Sequence, residues 1–197
     1  MGLDLNAICE HSLRGQLHDF AELVPKHLNS IEYSDPLLVD RLRLILKPEY
    51  LLEWSSSPWR LDRTWSLDEM VLKHRCVQFN GPLGLLLRVG AESFDLWTPF
   101  RVWAFLLDAD LQVSLLRVIG RVTIALGGTR VLIVPDNATR SSSYADWIMK
   151  PASIAEIEGA MRSEIGAPCV NPEEWAARKE EDVDYDGYLA YRYRRDA

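Results

Sequence analysis

Residues 103–137 read WAFLLDADLQVSLLRVIGRVTIALGGTRVLIVPDN, and the spacing of their apolar side chains decides the fold. Leu111, Leu115, Val118, Ile119, Val122 and Leu126 recur every three or four residues, with Gln112, Ser114, Arg117 and Arg121 mostly between them. That is the pattern of an amphipathic helix. Asp108 and Asp110 open it with charges that suit the positive end of the helix dipole. Gly127-Gly128 supplies a residue free to take the positive φ on which helices commonly close. Val131-Leu132-Ile133-Val134 then forms a short apolar run rich in β-branched residues and ended by Pro135-Asp136, as a buried strand would be. Helix, tight turn and strand together make half of an α/β layer.

Working outward toward the N-terminus, Leu5, Ile8, Leu13, Leu17, Phe20, Val24, Leu28 and Ile31 trace a helical stripe over residues 5–31, and Pro25 is expected to kink or end that helix. Residues 36–54 read as a short apolar helix closed by Pro48, with a strand as the alternative. Residues 55–65, SSSPWRLDRTW, are a loop by composition. Ser66 with Glu69 has the form of a capping box. Residues 75–79, 85–89 and 94–98 read as strands, and Thr98-Pro99 reads as a helix start, with Thr as the cap and Pro in the first turn.

Toward the C-terminus, residues 138–147 form a serine-rich loop. Ser153 and Glu156 cap a helix over 153–165 that Gly166 and Pro168 stop. A short helical piece surrounds Trp175, and DYDGYLAYRYR reads as a turn followed by an aromatic strand. The expected architecture is therefore α+β: one compact domain over 1–168, with a central mixed sheet packed by an N-terminal helix, the long central helix and a C-terminal helix. Residues 169–197 form an acidic, tyrosine-rich extension that packs back on the domain.

Composition excludes several function classes. No apolar run approaches the roughly 20 residues that span a bilayer, and Asp4, Glu10 and His11 interrupt the apolar segment that a signal sequence needs. Cys9, Cys76 and Cys169 are odd in number and widely spaced, which suits a reducing cytoplasm better than a disulfide framework or a zinc knuckle. The net charge is −7, and residues 173–186 hold seven acids against Arg178 and Lys179. The body is thus close to neutral and lacks the clustered positive footprint of a nucleic-acid binder. Neither a membrane nor a nucleic acid is an expected partner, and no cofactor is implied.

No nucleophile elbow, triad spacing or Walker loop is present, so the chain reads as non-catalytic. Seven tryptophans and seven tyrosines, several in loops or the tail, point to a protein partner, because these residues are enriched at interfaces. The expected contact residues are Trp59, Trp65, Trp147, Glu180, Asp182, Asp184, Tyr185 and Tyr188, and an immunity-type partner of a basic toxin is one specific form. The alternative is a small-molecule or enzymatic site at the end of the 130–136 strand, with Asp136, Arg140 and Ser142 as ligand groups, since open α/β sheets place ligands beyond strand ends. Asp182, Asp184, Asp186 and Gly187 also resemble the first half of a calcium loop. Tyr193 stands where the bidentate Glu belongs, so a turn is the expected role and no metal site is assigned.

Overall fold

The computed structural model describes residues 3–33, 35–45, 57–136, 140–181 and 187–194, with residues 179–181 described by their backbone alone. The described residues form one seven-stranded sheet in the order β2-β3-β4-β5-β1-β6-β7. The strands are β1 (Asp4–Glu10), β2 (Arg60–Leu61), β3 (Val77–Asn80), β4 (Leu86–Val89), β5 (Ser93–Arg101), β6 (Arg130–Pro135) and β7 (Leu189–Arg192). The chain is α+β as expected, but the strand pairs are antiparallel where a mixed sheet was expected. The reason lies in one slot. Helices α4 (Val102–Leu107) and α5 (Ala109–Ala125) carry the chain from β5 to β6, and these two strands run the same way, as in an α/β unit. β1 fills the space between them, antiparallel to both.

β1 is also the main correction to the sequence reading, which placed its residues in the first helix. Leu5, Ala7 and Cys9 enter the core on one face, Ile8 enters the core on the other, and Asn6 is buried beside it. A strand covered on both faces loses the alternation that marks a half-exposed one, so its apolar residues matched a helical stripe equally well. Gly15, at φ +126, turns the chain, and the Asp19 carboxylate accepts the Gln16 N–H at 2.7 Å where helix α1 (Leu17–Leu28) begins. Pro25 lies within α1, which continues one turn past it. A second correction concerns Thr98-Pro99. β5 runs on through them to Arg101, and the register against β1 shifts between Asp4 and Leu5. Pro99 is tolerated there because an irregularity in the ladder asks no hydrogen bond of it.

The long helix is placed as expected. Asp108 caps it through Oδ1, which accepts the Leu111 N–H at 3.0 Å, and Leu111, Leu115, Val118, Ile119 and Val122 face the core. Gly127 closes it at φ +81. With α1, α2 (Pro36–Arg43), the single turn α3 (Leu67–Glu69), α4 and Trp175 of α7 (Pro172–Glu181), α5 covers the first face of the sheet. The second face is covered by a 3₁₀ segment (Ser141–Met149), where a loop was expected, and by α6 (Ile154–Glu164). The N-terminal and C-terminal helices thus lie on opposite faces. The part of the extension that is described is integral to the fold. β7 completes the sheet beside β6, and the Tyr193 hydroxyl donates to the Leu116 carbonyl at 2.8 Å.

His11, just beyond β1, gives the fold a pH dependence. Its Nδ1 accepts the Leu13 N–H at 3.2 Å, so Nε2 carries the proton that is donated to the Gly90 carbonyl at 3.1 Å. Burial holds the ring below the usual histidine range. The unfolded chain therefore takes up the proton first, and stability declines as pH falls from about 6.5. Thermal midpoints should drop more steeply between pH 7 and 5 for the wild type than for His11→Gln. Equal slopes would assign the lost stability to other groups.

Candidate functional site

The two halves of the second face differ in chemistry. Across the sheet, Gln78 on β3 stands opposite Arg88 on β4, Arg88 opposite Asp95 on β5, Asp95 opposite Ile8 on β1, and Ile8 opposite Leu132 on β6. One row along, Arg60, Asn80, Leu86, Trp97, Asn6 and Val134 follow in the same way. The β1–β6 half is apolar around Ile8, Leu132 and Val134, with Asn6 at its border, and Tyr144, Ala145, Ile148, Ile154, Ile157 and Met161 pack on it. The β2–β5 half is polar apart from Leu86 and Trp97. There the sheet forms the floor of an open groove of about 1120 Å³, lined in part by Arg60, Asp62, Arg63, Asn80, Leu86 and Trp97.

Between the halves stands a buried ion pair. Arg88 forks onto Asp95, with Nε 2.9 Å from Oδ1 and Nη2 2.9 Å from Oδ2, while the Asn6 amide donates to Oδ2 at 3.1 Å. Nη1 of Arg88 reaches out to Asp146 of the 3₁₀ segment at 3.3 Å. The guanidinium thus joins the sheet to the layer that covers its apolar half. Burial pushes the Asp95 carboxyl up, and the Arg88 fork with the Asn6 amide pulls against that rise. At the groove, burial likewise opposes ionisation of Asp62. The Thr64 N–H and hydroxyl and the Gln78 amide donate to it and together hold its carboxyl below the usual range.

Beside the groove on the same face lies a smaller cavity of about 100 Å³, lined by Trp65, Met70, His74, Cys76, Gln78, Arg88 and Met149. Trp65 packs on His74 with 5.0 Å between ring centroids and the rings inclined at 59°. Burial pushes the Cys76 thiol up to about 11, so it is held protonated at neutral pH. Among the described residues, no group of three or more His, Cys, Asp or Glu side chains is placed to share a metal.

The residues expected from sequence are dispersed. Trp59 lies in the core against Tyr33, and its backbone N–H donates to Asn29 Oδ1 at 2.7 Å. Tyr188 is fully buried and its hydroxyl donates to the Gly166 carbonyl at 3.2 Å. Both are thereby withdrawn from the surface expected of them, because their apolar bodies complete the core. Trp65, 43% exposed, borders the small cavity, and Trp147 packs on Tyr144 beneath the Lys150 ammonium, 4.5 Å from its ring. Glu180 lies in α7. Asp182, Asp184, Tyr185 and Asp186, and with them the partial calcium loop, lie outside the described residues.

The three ligand candidates serve the fold. Asp136 clasps the start of β1: its Oδ1 accepts the Asp4 N–H at 3.0 Å and its own N–H donates to the Asp4 carbonyl at 2.9 Å. Arg140 donates to the Glu164 carbonyl at the end of α6, at 3.4 Å, and Ser142 is buried within the 3₁₀ segment. What sequence reasoning missed was the polar half-face. Its signal was present: Gln78, Arg88 and Asp95 are polar residues inside otherwise apolar strands, and a buried charge is tolerated only where it is paired. No protein-family model, no curated protein and no solved structure matches the chain.

Proposed function

We propose that this is a non-catalytic protein-binding protein that takes its partner on the open β2–β5 half of the sheet. The observation that carries the proposal is the change of chemistry across one sheet face. Among the described residues the covering layer stops at Arg88, leaving Trp97 and Leu86 in a concave floor beside exposed Arg60 and Arg63. An aromatic flanked by arginines over a ready-made concavity has the composition of an interface centre. The partner segment that suits it presents apolar side chains to Trp97 and carboxylates to the two arginines. The more specific form, neutralisation of a basic toxin, draws instead on the acids of residues 173–186 and would use a different surface. A small-molecule or enzymatic site at the end of β6 has less support, since Asp136 is engaged in holding β1.

The test is co-purification from the native source with wild type and with Arg60→Glu/Arg63→Glu. Both arginines are exposed, so the double variant should fold normally. The wild type should recover one partner in stoichiometric amount, and the variant should lose it by about tenfold or more, the scale of a hot-spot loss above 1 kcal/mol. Equal recovery by both proteins would remove the groove from the interface.

A further inference from the structure

The small cavity beside the groove carries a separate chemistry. We propose that it is a binding site for a soft monovalent cation, Cu(I), held by Cys76, His74 and the thioethers of Met70 and Met149. Cys76, His74, Met70 and Met149 line one space of about 100 Å³, and thiolate and thioether donors together select Cu(I).

Three further observations point the same way. His74 Nε2 is buried and has no hydrogen-bond partner among the described residues, although buried polar atoms are normally paired. The backbone that sets these donors departs twice from regular geometry within six residues. Met70–His74 is a π-helical turn, and Arg75 follows it in the left-handed region at φ 51. Such departures concentrate at functional sites. This pair of irregularities brings Met70, His74 and Cys76 around the same space. Trp65 lies against the His74 ring at the border of the same space.

Charge separates Cu(I) from Zn(II) here. When the Cys76 thiol yields its proton to solvent and its sulfur bonds Cu(I), one positive charge leaves the cavity and one enters, so the balance beside Arg88 is unchanged. Zn(II) would add a net charge next to that guanidinium, and its usual ligands are thiolate, imidazole and carboxylate. The metal enters and leaves as Cu(I), and no electron transfer is involved. The partner proposal plays no part in this site.

The test is an anaerobic titration of the full chain with Cu(I) against a chromophoric Cu(I) chelator. The wild type should hold one equivalent. Cys76→Ser and His74→Gln should each weaken binding by more than about a hundredfold, and Met149→Leu, nearly isosteric, by about tenfold, on the scale that ligand-shell changes produce. Cys9→Ser and Cys169→Ser, which alter the two other buried thiols, should bind as the wild type does. X-ray absorption of the loaded protein should show sulfur and nitrogen neighbours to copper. Failure of the wild type to retain Cu(I), or equal loss from all three cysteine variants, would overturn the proposal, and Met149→Leu keeps the test decisive if Cys76→Ser does not fold.

Discussion

Asp95→Ala should cost about 3–5 kcal/mol of folding stability, because it leaves the Arg88 guanidinium over the sheet without its carboxylate. Asp95 is 2% exposed and accepts from both Arg88 and Asn6, so the substitution also strands the Asn6 amide. The wild-type pair itself is a different quantity. Desolvation of two charges offsets much of their attraction, and replacing both partners with apolar residues of similar size is often neutral. Arg88→Met/Asp95→Leu should therefore recover most of the stability that Asp95→Ala loses. Chemical denaturation of the three proteins measures both effects. A loss below about 1 kcal/mol for Asp95→Ala would mean that water reaches Arg88 and the pair is a surface one.

Leu115→Ala should cost about 2–5 kcal/mol, the range for deleting a buried leucine and leaving a cavity. Leu115 is fully buried in the layer that α5 forms over the first face. In a chain of this size that loss lowers the thermal midpoint by about 5–15 °C. Val113, two residues away on the same helix and 56% exposed, is the control, and Val113→Ala should stay within about 0.5 kcal/mol. Similar midpoints for the two variants would show that α5 presents another face to the sheet.

How much of this was legible in the sequence depended on whether a segment's periodicity had one meaning. The 103–137 stretch was read correctly because a 17-residue helix with a cap at Asp108 and a glycine stop at Gly127 leaves no competing pattern. Ser66 and Ser153 gave their helix starts for a similar reason: each hydroxyl accepts the N–H of the glutamate three residues on. β1 was lost to a helix because its seven residues are covered on both faces, and a burial pattern with no exposed side carries no period. Its true role depends on β5 and β6, about 90 and 130 residues away, and no local pattern encodes a partner at that distance.

The candidate site was less legible still. Arg88 and Asp95 are seven residues apart, on strands that the sequence did indicate, yet their pairing follows from register, which only the turn between β4 and β5 sets. Trp59 and Trp97 are alike in residue type, but the first, just before β2, fills the core and the second, within β5, stands half-buried in an open groove. The difference comes from the side of the sheet on which each lies. Interface candidates chosen by residue type alone therefore mixed core with surface.

Site-directed photocrosslinking in the native cell reports whether a partner occupies the open half-face. A photoreactive phenylalanine analogue at Asn80, exposed beside the groove floor, should yield one discrete crosslinked protein, whereas the same analogue at Val170, 88% exposed, should yield none. The same adduct from both positions, or from Val170 alone, would contradict the assignment of the groove as the partner's seat.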